Sequence, residues 1–447
     1  MRVKKTVSAK KTAGFPGLPR QIIALALPAL GALIAEPLFL LADTAIIGHL
    51  GVGELAGAGL GTTILQTAVG LMIFLAYATT PAVARAYGAR DMPKALAAGR
   101  DGMWLGLFLG IVLAILGYVS APWLTGLFGP DEATQAFAID YVRWSMPGVP
   151  AMLLVLAATG VLRGLQDGKT PLIVASAGFG LNIVLNFSLV YGAGMSVAGA
   201  ALGTSIAQWI MAAVYLVLLV PRIREGGVSL APSAAGLRAS AQAGGWLMIR
   251  TAAMRIALLL TVWAATAQGA VTLAAHQLAF TFFSTLAFAL DAIAIAAQSL
   301  IGKELGAGNK DRAQALTTTM VRWGFWFGAV VGALLAATAA WLPRAFTPSS
   351  EVAHAATIAL LILAVMQPVA GIVFVLDGVL IGAGDHRYLA IASCIQLAVY
   401  VPFLAVAALV PLPGLVLAWI WVAFGIYMAA RWVTLEMRQR SGAWLVE

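Results

Sequence analysis

Four carboxylates stand where charge is hardest to place. Of 18 acidic residues, Glu36, Asp43, Asp291 and Asp377 fall deep inside long apolar blocks; the first two share the run "LIAEPLFLLADTAIIG". A charge at the centre of a bilayer costs about 2.5–3.5 kcal/mol on the insertion scale, so a carboxylate there is first read as functional. Its natural chemistry is the exchange of a proton or a small cation, with no covalent step. Glu36 and Asp43 are seven residues apart. On a helix they lie within roughly 20° of one face and about 10 Å apart along the axis. Pro37 between them has no N–H, so the carbonyl of Leu33 loses its helical partner and a bend is expected beside the two acids. Asn182 and Asn186 in "LNIVLNFSLV" are spaced i, i+4, which puts both amides on one helix face. With Thr204 they form a candidate polar cluster facing Asp43, the competing reading being plain helix–helix hydrogen bonding. Arg250 and Arg255 sit too far inside their apolar block to snorkel, and are the expected partners of Asp291 or Asp377.

Other chemistries find little footing. His49, His276, His354 and His386 have no metal-ligand spacing. There is no G-x-x-x-x-G-K-[ST], so no ATPase is encoded, and no D-D-x-x-D or H-E-x-x-H that a membrane-embedded metalloenzyme would need. The single cysteine, Cys394, lies in an apolar stretch and reads as a small packing residue. The expectation is a chain with no catalytic residues, no metal and no cofactor, whose coupling ion is a proton or, as the second choice, sodium.

The elements that must position these groups follow from composition. The chain has 447 residues, 61% hydrophobic and only 10% charged, with mean hydropathy +0.94. A soluble domain carries about a quarter charged residues. Continuous apolar runs such as "VYLVLLV" exclude the alternating pattern of an outer-membrane barrel. Twelve helices are predicted at 21–47, 55–84, 102–120, 136–162, 172–191, 197–220, 241–265, 271–298, 320–342, 354–381, 389–409 and 414–432. The first lacks a small-residue cleavage site and contains acids, so it reads as a retained helix. Threaded through these spans, 23 of the 27 basic residues fall on one side, and Arg344 alone falls in the opposite loops. Basic loops stay cytoplasmic, which places both termini there. The net charge of +9 is spread thinly between apolar segments, which argues against nucleic acid as a partner. The expected partners are a small-molecule substrate and the lipid bilayer, with the chain acting as a monomer.

The chain also resembles itself at an offset of 218 residues. Gly106 and Gly110 match Gly324 and Gly328, Pro150 matches Pro368, and Gly160, Val161, Leu162, Gly164 and Asp167 match Gly378, Val379, Leu380, Gly382 and Asp385. An offset of six spans returns the chain to the same side, so the halves are parallel repeats related by an axis along the membrane normal. The expected fold is therefore all-α integral membrane, twelve transmembrane helices as two parallel six-helix bundles. Its parts are a cytoplasmic basic tail (1–20), an N-terminal lobe (21–220), a cytoplasmic linker (221–240), a C-terminal lobe (241–434) and a short tail (435–447). Parallel repeats favour an alternating-access carrier with a cavity between the bundles. The repeat pairs Asp43 with Thr261 and Glu36 with Met254, so the buried acids are unequally shared.

Several motifs in order are familiar: "LADTAIIGHLG" at 41–51, "AYGARD" at 86–91 with "ELGAGN" at 304–309, "LNIVLNFSLVYGAGMSVAGAALGTSIAQ" at 181–208, "AAHQ" at 274–277 and "LDGVLIGAGD" at 376–385. Together they resemble the multidrug and toxic compound extrusion (MATE) family, in particular its bacterial DinF-like branch. The resemblance implies a twelve-helix antiporter of the cytoplasmic membrane that exports amphipathic, cationic compounds in exchange for protons or sodium. It places Asp43 at the family's helix-1 coupling carboxylate, and Asn182 and Thr204 at its polar partners. Asn186 stands where archaeal relatives have Asp. Asp377 falls where sodium-linked relatives also carry a carboxylate, yet helix 7 offers Arg250, Met254 and Arg255 and no acid. That departure favours protons over sodium. The alternatives are a sodium-coupled exporter of the same family and a lipid-linked precursor flippase, for which only Arg250 and Arg255 would supply cavity charge.

Overall fold

The computed structural model describes residues 17–409 and 415–445. Fourteen α-helices run through them in order: α1 (Leu18–Gly48), α2 (Val52–Leu71), α3 (Phe74–Gly88), α4 (Met92–Gly126), α5 (Glu132–Ser145), α6 (Val149–Gly164), α7 (Lys169–Phe187), α8 (Ser196–Glu225), α9 (Ala234–Thr266), α10 (Ala270–Gly306), α11 (Lys310–Thr338), α12 (Ser350–Gly382), α13 (His386–Leu409) and α14 (Val416–Ser441). Two spans are broken. Met72 and Ile73 interrupt the second between α2 and α3, and a short 3₁₀ turn at Met146–Gly148, carrying Pro147, interrupts the fourth between α5 and α6. Counted through those breaks, the described residues hold the twelve expected spans. Leu116, Val119, Val217, Leu259 and Val365 lie exposed on them, a surface suited to hydrocarbon and not to water.

The helices are longer than their apolar cores. The third span was expected at 102–120, yet α4 runs from Met92 to Gly126. Hydropathy marks where lipid ends, whereas capping decides where a helix ends. Asp91 caps α4 by accepting from the backbone N–H of Lys94 at 2.9 Å. Asp131 caps α5 by accepting from the Thr134 N–H at 3.0 Å and from its hydroxyl at 2.6 Å; these bonds hold the exposed Asp131 carboxyl below its ordinary range.

Glycines set the helix crossings, and they do so twice. A Cβ at Gly106 would run into the backbone carbonyl of Leu153, and one at Gly110 into the Cα of Pro150, so α4 packs on α6 backbone to backbone. Exactly 218 residues on, Gly324 meets the carbonyl of Gly371 and Gly328 meets the Cα of Pro368, joining α11 to α12. The internal repeat of the sequence is thus a repeated packing device.

Packing divides the chain into two units. One is Leu27–Ala252; the other comprises residues up to Ala26 together with Ala253 onward. The divisions fall inside α1 and α9, about a dozen residues beyond the linker end expected at 240. The reason lies in the linker itself, whose non-helical part is only the stretch 226–233. It is fastened to the N-terminal unit: Arg100 Nη1 donates to the Ser229 carbonyl at 2.7 Å and Trp104 Nε1 to that of Leu230 at 2.9 Å. The Asp101 carboxylate accepts from the Ser233 N–H at 3.0 Å and from its hydroxyl at 2.9 Å. Arg100 and Asp101 are both buried and pair at 2.8 Å, so Arg100 does more than orient the chain. Ser233→Ala removes one bond to a carboxylate and the hydroxyl that accepts from the Gly236 N–H. It is expected to cost about 1–2 kcal/mol, read as a lower melting temperature of the purified protein; an unchanged value would show the linker to be a loose tether.

Candidate functional site

The N-terminal unit assembles the expected cluster. Asp43 on α1 is only 5% exposed, and Asn182, Asn186 and Thr204 are buried with it. Asn186 Nδ2 donates to Asp43 Oδ1 at 2.7 Å. A carboxylate can only accept, so it fixes the amide with its NH₂ turned toward Asp43. One turn away, Asn182 Nδ2 donates to Thr204 Oγ1 at 3.0 Å, and that hydroxyl donates to the Ala200 carbonyl at 3.0 Å. The i, i+4 spacing on α7 therefore produces one face with two amides. Gly203 on α8 makes the approach possible, since any Cβ there would collide with the Asn186 carboxamide. The carboxamide oxygens of Asn182 and Asn186 have no hydrogen-bond partner among the described residues. They are acceptors held in reserve beside a carboxylate.

Tyr141 on α5 escaped the sequence reading. It is buried, interacts electrostatically with Asp43, and its hydroxyl bonds the side chain of Thr62 on α2. Gly61 leaves room for its ring. A buried tyrosine must satisfy its hydroxyl, but nothing in the spacing of Thr62 and Tyr141 announces that they meet. Pro37 lies within α1, which continues unbroken past both Pro28 and Pro37. Glu36 belongs to the same helix; its side chain lies outside the described residues.

The C-terminal unit handles charge differently. Asp377 on α12 pairs with Arg431 on α14, Nη2 to Oδ2 at 3.4 Å, and both are buried. Asp291 on α10, half-buried, acts electrostatically on the same guanidinium. This gives Asp377 a partner that the sequence reading did not name. Arg431, at the very end of the last predicted span (414–432), is one of the 23 basic residues assigned to the cytoplasmic side, but α14 runs on to Ser441 and Arg431 is buried. Of the two arginines named from the sequence, Arg255 is exposed and Arg250 is buried. The repeat mates of the N-terminal cluster are also neutral. Asp43 and Asn182 correspond to Thr261 and Tyr400, which bond hydroxyl to hydroxyl at 2.6 Å. Among the described residues there is no group of three or more His, Cys, Asp or Glu that could hold a metal ion.

Twelve spans, a repeated glycine crossing and one buried carboxylate among amides define a membrane carrier, and the relatives agree. The MatE family model matches residues 28–188 and 248–406, two stretches separated by about the repeat offset. Protein DETOXIFICATION 44, chloroplastic, of Arabidopsis thaliana is 31% identical over 97% of this chain and 85% of its own length. DNA damage-inducible protein F of Escherichia coli (strain K12) is 28% identical over 94% and 92%. In fold, the Vibrio cholerae MATE transporter VcmN in its bent form superposes with a TM-score of 0.87 at 22% identity, covering 98% of this chain and 100% of that one. The chain belongs to the MATE family of multidrug efflux transporters.

Proposed function

We propose that the protein is a secondary active antiporter that exports amphipathic, cationic small molecules in exchange for protons by alternating access, with Asp43 as the exchanging group. The observation that carries this reading is the company Asp43 keeps: a buried carboxylate whose hydrogen-bond partner is a neutral amide. An acid without a tethered counter-charge is the one whose charge state a passing proton can change. Ionised, it accepts from Asn186 Nδ2. Protonated, it becomes a donor, and the unpartnered Asn186 Oδ1, on the same carboxamide, can accept once that amide turns over. One proton thus reverses the direction of the bond between α1 and α7 and biases two states of the helix pair. Substrate cation and proton compete for the same negative charge, which is antiport.

In this reading no enzyme activity, cofactor or resident metal is needed, and the chain works as a monomer with both termini cytoplasmic. A bacterial cytoplasmic membrane suits relatives such as the Escherichia coli protein, although the Arabidopsis relative is named chloroplastic. A sodium-coupled variant has one observation in its favour, the two reserve carboxamide oxygens, which could ligate a desolvated cation. Proteoliposomes loaded with a cationic dye decide between them. A proton gradient alone is expected to drive efflux and a sodium gradient alone to leave it at the leak rate. The reverse result would hand the coupling to sodium, and efflux under neither would end the antiport reading.

A further inference from the structure

The buried ion pair of the C-terminal unit has no counterpart where the repeat would put one. The mate of Asp377 is Thr159, whose hydroxyl meets that of Tyr215 at 3.1 Å across α6 and α8. The same helix crossing is therefore held in one unit by neutral hydroxyls and in the other by a carboxylate and a guanidinium. The fold does not require charge there. Nor is a buried ion pair a cheap route to stability, because desolvating both partners offsets much of their attraction.

The surroundings of Arg431 are built for a cation. Its guanidinium reaches Asp377, acts on Asp291 and lies 5.8 Å from the Phe374 ring centroid and 6.0 Å from that of Tyr427. Two carboxylates and two ring faces are what a desolvated monovalent cation seeks. Two other carboxylates of this unit have ion pairs of their own: Glu304 of α10 with Arg312 of α11 at 3.3 Å, and Asp385 with Arg438 of α14 at 2.6 Å. From α13, Tyr400 packs its ring on Tyr427 and the Tyr388 hydroxyl donates to the Thr434 carbonyl of α14 at 2.6 Å.

We propose that Arg431 is a resident counter-ion: its guanidinium fills the place that an exchangeable monovalent cation would otherwise take beside Asp377 and Asp291, so that ion exchange is confined to the N-terminal unit. The inference rests on Asp43 being the coupling group, and it names Arg431 as the residue that sets how many ions the transporter exchanges. Because an arginine is always charged and is tethered to the chain, it supplies positive charge beside these acids and cannot leave as an exchanged ion would.

The test counts ions bound by purified protein in detergent, using radioactive sodium for one arm and proton uptake with a pH indicator for the other. Arg431→Gln is expected to gain about one monovalent cation per chain, because it leaves one positive charge fewer beside the buried Asp377 and the half-buried Asp291. Arg431→Lys retains a tethered charge and is expected to gain none, and Arg431→Gln with Asp377→Asn likewise. Folded Arg431→Gln protein that gains neither sodium nor a proton would overturn the proposal. Asp377→Asn covers the case in which Arg431→Gln does not fold: it removes the partner and not the occupant, so the ion count should stay at the parent value, and a loss of one ion would identify Asp377 as an exchanging site and defeat the idea. Repeating the series with Asp43→Asn separates the two readings. If the Asp43→Asn chain still exchanges an ion, the coupling assignment fails, while the gain on adding Arg431→Gln still tests the counter-ion.

Discussion

Asp43→Asn is expected to lower proton-driven efflux by about 100-fold while leaving the protein folded, with dye binding held at the weaker level of the protonated parent. That factor corresponds to a coupling free energy of roughly 2.7 kcal/mol, at the upper end of what linked binding sites usually share. The fold should survive because the new amide still offers an oxygen to Asn186 Nδ2, the bond now made at 2.7 Å. Coupling should not survive, because an amide has no proton to exchange across the physiological range. Dye binding supplies the discriminating readout. In the parent chain, binding should weaken as pH falls, since protonation removes the negative charge that attracts the cation. In Asp43→Asn it should become flat with pH. Undiminished proton-driven efflux in the variant, measured in proteoliposomes under an imposed pH gradient, would remove Asp43 from the mechanism.

The N-terminal site was largely legible in the sequence, and the reason is specific. Asp43 interrupts an apolar block, and Asn182 and Asn186 recur at the helical spacing, so composition and periodicity both point at them. Their contacts with each other and with Thr204 follow from one helix face meeting its neighbours. Tyr141 was not legible because tyrosine is at home in a span and carries no anomaly. Arg431 is obscured for the opposite reason: an arginine at the end of an apolar block has an obvious explanation as an orienting charge. Hydropathy cannot see that α14 continues past 432 to Ser441. The breaks at Met72–Ile73 and Met146–Gly148 are not marked by hydropathy either: the first lies in the apolar run "GLMIFLAYA", and the second is marked only by Pro147.

The repeat carried more than its matched residues suggested. Conserved spacing of Gly106, Gly110 and Pro150 with Gly324, Gly328 and Pro368 became the same crossing built twice. Against that shared frame the differences stand out. The N-terminal unit has a carboxylate at 43 and a neutral hydroxyl pair at 159 and 215; the C-terminal unit has a neutral hydroxyl pair at 261 and 400 and a self-compensated ion pair at 377 and 431. Duplication supplied one scaffold, and each copy keeps charge in a different place. One copy leaves it unbalanced.

Gly328→Leu is expected to be the most damaging substitution in the C-terminal scaffold. A Cβ at this position would already fall on the carbonyl of Gln367 and the Cα of Pro368, both rigid backbone. A leucine must therefore push α11 off α12 along a seam that Gly324, Gly332 and Gly371 also use. Overpacking of this kind costs about 3 kcal/mol or more, enough to leave little monodisperse protein after purification. The seam also explains why glycine persists where alanine would favour the helix by about 1 kcal/mol. Pro368 has no N–H, so the carbonyl of Ala364, four residues before it, lacks its helical partner. The Cα of Gly332 approaches that carbonyl closely enough that a Cβ would strike it, and a Cα–H contact partly satisfies the orphaned oxygen. Separating the helices would expose it to hydrocarbon with nothing in exchange. Gly110→Leu, the mate across the repeat, meets Pro150 in the same way and should fail in the same way. A Gly328→Leu chain with the parent's melting temperature would mean that α11 and α12 can part freely, and that the shared crossing is incidental to both units.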